Sequence, residues 1–304
     1  MTPTISVLTP SYGYAQFLPT ALASVRSNVI HAEHVVMDGG STDGSVEILQ
    51  ASDAVWRSEP DRGQSDALNK ALAAATGDIV GWLNADDFYL PGVLDVVAQE
   101  FDRHTDTHVL YGDTALVDGD GRVQRLLKAY RPAVHTTLRW RGPSYLSTST
   151  FFRRDLLGVD PFDPDMKMIM DWDLFLRLHA QPGVRFRHVP VPMAGFRFHE
   201  AQVTHGQTQY TGPEFSRLRQ AHGIDERRVG ITRPLGIGLH RAVKVATGSL
   251  ALETSSRVMA GVPLLDSRGH VVSGTARALR RVADPVGWRR REPLFEAAEA
   301  VAAP

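Results

Sequence analysis

Cysteine is absent from the 304-residue sequence, which excludes a disulfide framework, a thiolate-held zinc and a thiol nucleophile. No uninterrupted apolar run of about 18 residues occurs, so no segment reads as a membrane-spanning helix. The opening residues, MTPTISVLTPSY, lack the basic cluster and apolar core of a secretory leader, and a cytoplasmic location is expected. Neither G-x-G-x-x-G nor G-x-x-x-x-G-K-[ST] is present, which removes the main support for a dinucleotide-binding or P-loop fold. Net charge is also nearly absent, at −1, but this balance hides an asymmetry. Residues 1–212 carry 18 Lys and Arg against 25 Asp and Glu, whereas residues 213–291 carry 15 against 6. Such a basic segment suits an anionic surface, either membrane or nucleic acid, or simply an arginine-rich helical region.

What is present is an ordinary globular composition, 43% hydrophobic and 22% charged, arranged as alternating strand and helix patterns. Ile5–Leu8, His34–Met37, Ala54–Trp56 and Ile79–Leu83 are short and apolar or β-branched, and each precedes a helical pattern. Ser41, Thr42 and Asp43 supply N-cap chemistry for the second of those helices. Four strand–helix units in succession predict a parallel sheet covered on both faces. After residue 108 the pattern changes. Val109–Val117 and Val123–Leu127 flank a glycine-containing turn, Thr148–Phe152 reads as a strand and Met168–Leu178 as a helix. Val184–Val189 and Ala194–Phe198 read as closing strands, and the chain is helical from about Gly212. The expected division is a domain over 1–210 and a helical, arginine-rich region over 211–304.

In a parallel sheet, ligands bind beyond the carboxyl ends of the strands. Those ends are Thr9-Pro10-Ser11, Asp38-Gly39-Gly40, Glu59-Pro60-Asp61 and Asn84-Ala85-Asp86-Asp87. Three of the four are acidic and none is a phosphate-cradling glycine loop. Acidic strand ends can hold a diphosphate only through a divalent cation, and they can accept hydrogen bonds from a base and a ribose. The array therefore points to a nucleotide with Mg²⁺ or Mn²⁺. D-x-D spacing alone is weak evidence. It recurs at Asp118/Asp120, which suits a hairpin turn, and at Asp163/Asp165, which suits a loop before a helix.

The stretches TPSYGYAQFLPTALASV, VVMDGGSTDGSVEIL, SEPDRGQSDALNKALAAATGDIVGWLNADD, STFFRR and MDWDLFLRL resemble the family 2 glycosyltransferases over roughly residues 3–205. The resemblance implies a GT-A fold: an α/β domain whose mostly parallel central sheet is flanked by helices, here followed by a helical C-terminal extension. It implies transfer of a sugar, with inversion, from a UDP-, dTDP- or GDP-sugar to a glycan or glycolipid acceptor. Thr9, Pro10, Ser11, Asp38, Asp61, Arg62, Asn84 and Ala85 match the family's nucleotide-contacting positions. Its D-x-D element falls on Asn84-Ala85-Asp86, so an amide replaces the first carboxylate while Asp86 keeps the oxygen that reaches the metal. Asp171 matches the catalytic base, with Met170 where many members carry a second acid. Asp173, two residues on, points about 200° away on a helix and is not expected to share the role. A helix N-terminus would lower the pKa of Asp171. His199 and Thr204 match the loop that closes over the diphosphate, with His199 a candidate metal ligand.

Two other classes compete with this one. A sugar nucleotidyltransferase would want a glycine- and cation-rich loop after the first strand, which TPSYGYAQF is not. A catalytically inactive nucleotide-sugar-binding scaffold would have no physical reason to keep both Asp86 and Asp171. For the basic region, nucleic acid is an odd partner for an acidic sugar-transferring domain. The remaining expectations are peripheral contact with an anionic membrane at the inner face, packing of its arginines on the catalytic domain, or a homodimer contact.

Overall fold

The computed structural model describes residues 2–130, 142–200, 202, 208–284 and 290–302. The first half runs β1 (Ile5–Ser11), α1 (Leu18–Arg26), β2 (Glu33–Asp38), α2 (Ser45–Gln50), β3 (Val55–Ser58), α3 (Gln64–Ala74), β4 (Ile79–Trp82), β5 (Phe88–Tyr89) and α4 (Val93–Arg103). The next part holds β6 (Val109–Asp118), β7 (Val123–Leu127), β8 (Thr150–Arg153), α5 (Met170–Ala180) and β9 (Phe186–Phe198). The principal helices after that are α6 (Thr208–Ala221), α7 (Glu226–Ala246), α8 (Ser249–Ser255), α9 (Ser273–Ala283) and α10 (Glu292–Ala302).

The strands form one sheet in the order β3-β2-β1-β4-β8-β6-β9-β5, with β7 added on β6. The run β3-β2-β1-β4 is parallel, as four strand–helix units require. Beyond it β8 lies antiparallel between β4 and β6, while β9 runs parallel to β6 and antiparallel to β5. The sheet is therefore mixed, and its parallel half is the half that the alternating pattern encodes. Every residue of β1 is buried, because both faces of the sheet are covered. Ile5 and Val7 enter one core cluster with Leu94 and Val97, and Leu8 enters the other with Leu68 and Phe175, following the two-residue period of a strand.

Three local readings are refined. The two expected closing strands are one 13-residue strand, β9. Pro190 and Pro192 lack an amide hydrogen, and the β9 register with β6 shifts around the Asp113–Pro192 pair without breaking the strand. Residues 147–149 form a single 3₁₀ turn, so the expected strand at 148 begins at Thr150. The N-cap residue of α2 is Gly44, at φ +102°, while Asp43 receives the Ser45 amide at 3.2 Å and its hydroxyl at 2.7 Å. The Asp118–Gly121 turn stands as expected, with Asp118 accepting the amides of Asp120 and Arg122.

The C-terminal region is not a separate body. Leu264, Leu265, Ala276, Leu279 and Phe295 are buried in the same cluster as Ile5, Leu94 and Val97. Several of its cations are engaged. Arg277 and Arg280 pair with Glu299, and Arg280 also donates to the Pro91 carbonyl. Arg291 reaches Glu100 on α4 at 3.2 Å and Asp284 at 3.5 Å, and Lys244 holds Glu253 at 2.6 Å. Arg280 is thus buried and Arg291 partly buried against these partners, while Arg277 stays half-exposed and Arg281 is exposed. Trp288 and Arg289 lie outside the described residues.

Candidate active site

A cleft of about 390 Å³ opens at the carboxyl ends of β1, β3 and β4. Pro10, Ser11, Asp61, Asn84 and Asp86 line it, as expected, together with Tyr12, Tyr14, Gln64, Phe196 and Gln202. Tyr12 and Tyr14 belong to the TPSYGYAQF stretch, where nothing but the chemistry of an aromatic ring beside a strand end marked them. Gln202 carried no signal, because it reaches the cleft only through the path of the chain after β9. Ser11 Oγ and Gln202 Oε1 are both buried and have no hydrogen-bond partner among the described residues. Buried polar atoms are almost always satisfied, so these two mark where a polar ligand would bind.

The acidic pair is held asymmetrically. Asp87 is fully buried and accepts from the Arg197 amide at 2.9 Å, the Thr148 hydroxyl at 2.8 Å and the Asn84 amide at 3.3 Å. Burial, reinforced by the neighbouring Asp86 charge, pushes its carboxyl well above the ordinary range. Asp86 is directed instead at His199, with Oδ2 and Nε2 3.0 Å apart. His199 packs against the Phe17 ring at 4.5 Å, and the Arg197 guanidinium covers the same ring at 4.6 Å. Burial lowers the pKa of Arg197 and raises that of Tyr14, whose phenol also feels Asp86 and Asp87.

Asn84 explains its own departure from an acidic residue. Its Oδ1 accepts from Gln64 Nε2 and Trp82 Nε1, both at 2.7 Å, while its amide group donates to Asp87. A carboxylate there would lose that donation and place a third negative charge beside two others. Asp61 accepts the Gly63 amide at 2.7 Å, and burial raises its pKa.

Four expected nucleotide contacts stand elsewhere. Asp38 is 2% exposed, and its two oxygens accept from the Gly40 and Ser41 amides and from the Ser41 and Ser58 hydroxyls, which commits it to its own turn. Thr9 bonds His34 at 2.8 Å inside the fold, where burial holds that histidine neutral by lowering its pKa to about 4. The Ala85 methyl is buried among Leu18, Leu22, Val36 and Leu49. Arg62 is exposed and pairs with Asp66 at 3.4 Å, outside the lining of the cleft. Thr204 lies outside the described residues.

Asp171 is the second residue of α5 and lies outside the lining of this cleft. Its Oδ1 accepts the Trp172 amide at 2.7 Å. Burial raises its pKa to about 6, so desolvation outweighs the helix-terminus field that was expected to lower it. At pH 7 such a group is still about nine-tenths ionised. Asp173 is engaged with Arg177 and His222, each at 2.8 Å, which leaves it a structural role.

The donor set at Asp86 and His199 suits a divalent cation. Two ligand atoms 3.0 Å apart match adjacent corners of an octahedron with bonds of about 2.1 Å. Among the described residues no three such side chains converge, so substrate oxygens and water would complete the shell.

Comparison with known proteins gives a consistent picture. Residues 6–158, half of the chain, match the family model described as Glycosyl transferase family 2. The PGL/p-HBAD biosynthesis glycosyltransferase of Mycobacterium bovis is 27% identical over 213 residues, covering 64% of this chain and 77% of that protein. Among solved structures, S. aureus TarS 1-349 in complex with UDP-GlcNAc superposes with a TM-score of 0.59 at 18% identity, covering 98% of this chain and 88% of that one. The mannosyltransferase PcManGT from Pyrobaculum calidifontis, in complex with GDP-Man and Mn²⁺, superposes with a TM-score of 0.53 at 18% identity, covering 99% and 86%. At these identities the two structures establish the shared α/β GT-A fold.

Proposed function

The chain belongs to glycosyl transferase family 2, and from that membership we propose that it moves a sugar from a nucleotide-diphosphate donor to an acceptor hydroxyl with inversion at the anomeric carbon. The observation that carries this reading is the cleft at the strand ends, lined by Asp86, which bonds His199, and by Ser11 and Gln202, whose Oγ and Oε1 lack a partner among the described residues. Asp61 and Ser11 are placed to bond the base or ribose, and the exposed Tyr12 ring gives the base a face to lie on. Asp86 and His199 would hold Mg²⁺ or Mn²⁺, which supplies positive charge against the departing diphosphate. Asp171, ionised at neutral pH, takes the proton of the acceptor hydroxyl as oxygen attacks the anomeric carbon from the face opposite the leaving group. The named complexes with UDP-GlcNAc and GDP-Man support a nucleotide sugar as donor class. A glycolipid or polysaccharide precursor is the acceptor class we favour.

Release of nucleoside diphosphate should be measured on a panel of UDP-, dTDP- and GDP-sugars with Mn²⁺, with and without EDTA. Turnover on at least one donor, lost in EDTA and in Asp86→Ala, is expected. Turnover unaffected by chelator and by Asp86→Ala would remove the metal from the reading.

We also propose that α7 and α8 face an anionic lipid surface. Among the described residues nine large hydrophobic side chains are exposed, and five of them, Ile237, Leu239, Val245, Leu250 and Val258, lie on α7, on α8 or in the turn just after α8. Arg241 and Arg257 lie in the same stretch and make no ion pair among the described residues. No helix among the described residues is long and apolar enough to cross a membrane, so such contact would be in-plane. The full chain should pellet with anionic liposomes at low salt, and Leu239→Glu with Val245→Glu should abolish pelleting. Equal pelleting of both proteins would overturn this, and a doubled mass for the unmodified chain alone, without liposomes, would assign the face to a dimer.

A further inference from the structure

Glu214 lies on α6 and is 6% exposed, yet among the described residues no side-chain cation accounts for its burial. Its carboxylate accepts three consecutive main-chain amides: Lys167 at 2.7 Å on Oε1, then Met168 at 3.0 Å and Ile169 at 3.3 Å on Oε2. These amides lead directly into α5, whose N-cap residue, Ile169, offers no side-chain cap of its own. The three amides precede the first helical residue and have no intrahelical acceptor, and here the acceptor comes from 45 to 47 residues further along the chain. A carboxylate fixed by three charge-assisted bonds sets direction as well as distance.

The rest of α6 holds the same segment. Arg217 pairs with Asp163 at 2.8 Å and Asp165 at 3.2 Å, the Phe215 ring meets Trp172 edge-on at 5.3 Å, and His222, just past the helix, bonds Asp173 at 2.8 Å. From the other side, α3 grips it through Ser65 to the Met166 carbonyl and through Asn69, which bonds both the carbonyl and the amide of Phe162. The approach to Asp171 is thus clamped between the helix that follows Asp61 and the helix that follows His199 and Gln202.

We propose that Glu214 is a positioning residue for Asp171, directing its carboxylate at the acceptor and tying that direction to the donor side of the cleft. This rests on Asp171 being the base. Removing one negative oxygen in Glu214→Gln keeps the volume and turns an acceptor into a donor facing main-chain N–H groups. With a donor that the unmodified chain hydrolyses, water acting as acceptor, turnover at saturation should fall about 10–100-fold, the effect of a small misplacement of a reacting group. Donor Kd should change less than twofold. The acid limb of the rate profile should move from about pH 6 towards the ordinary carboxylate range as water reaches Asp171. Hydrogen exchange in the peptide spanning 165–175 should quicken, and added donor should no longer slow it.

Wild-type turnover and an unmoved pH profile in folded Glu214→Gln would overturn the proposal. Should that variant fail to fold, Glu214→Asp decides by the same two readouts. Asp171→Asn is the reference. If it turns over normally, or if the unmodified chain hydrolyses no donor, the reading of the base fails and takes this proposal with it. If Asp171→Asn is slow while the Glu214 variants are normal, the positioning role alone fails.

Discussion

At the scale of single residues, environment matters more here than residue type. Asp86, Asp87, Asp171 and Asp173 are all aspartates, yet Asp173 is paired with Arg177 and bonded to His222, Asp86 faces His199, and Asp87 is enclosed by three donors. Asp171 has one main-chain donor and a desolvated site, which raises its pKa to about 6. That value lies above the ordinary carboxylate, so the protonated form favours the fold. The stabilisation is complete below about pH 4 and is lost as pH rises through about 6. Asp171→Asn imitates the protonated state. It should melt higher than the unmodified chain at pH 8 and no higher at pH 4, while turnover at neutral pH falls about 10²–10⁴-fold. A calorimetric pH series with donor-hydrolysis rates checks both, and an equal melting difference at the two pH values would show that burial does not perturb this carboxyl.

At the scale of elements, β9 does more for the site than any strand of the parallel half. It brings Phe196 to the cleft, gives the Arg197 amide to Asp87 and ends one residue before His199. Its seating depends on Gly195, opposite Phe88 in the β5 pairing. A Cβ on Gly195 would stand 2.2 Å from the Phe88 ring, and that ring also carries the Arg197 guanidinium at 5.6 Å. Gly195→Ala must therefore push Phe88 away and disturb the support of the acidic pair. Overpacking of this kind costs about 1–3 kcal/mol. Urea denaturation should show a loss in that range, accompanied by weaker Mn²⁺-dependent donor binding. Unchanged stability would mean that the β5–β9 contact is looser than the structure shows.

At the scale of the whole molecule, the C-terminal third completes the catalytic core rather than appending to it. Leu264, Leu265, Ala276, Leu279 and Phe295 are each no more than 5% exposed within the cluster that backs β1 and α4. Buried Lys128 on the Asp113 side receives the Ala283 carbonyl as a second acceptor, at 2.9 Å. A chain ending near residue 212 would lack those side chains, uncover the apolar residues that share their cluster, Leu94 and Val97 among them, and leave Glu100 without Arg291. Each large apolar side chain returned to water costs about 1.5–3 kcal/mol, and several together exceed the margin of an ordinary domain. The truncated chain should aggregate or lack a cooperative melt. A soluble, cooperatively melting 1–212 fragment would show that the first region folds alone.

The strand–helix alternation, the acidic strand ends and the placing of Pro10, Ser11, Asp61, Asn84 and Asp86 in one cleft follow from periodicity, which is local and therefore written in the sequence. The hairpin turn and the structural role of Asp173 were legible for the same reason. Tertiary packing decided the rest. It turned Asp38, Thr9 and Ala85 inward, reversed the pKa shift of Asp171, and set Arg277, Arg280 and Arg291 against carboxylates. It also brought Gln202 and Glu214 to places that no neighbouring residue foretells. Side-chain direction at a strand end, desolvation and pairing across more than 40 residues depend on what the rest of the chain brings alongside. A sequence states which groups exist, and only the packed molecule determines which of them still have an unmade bond to offer.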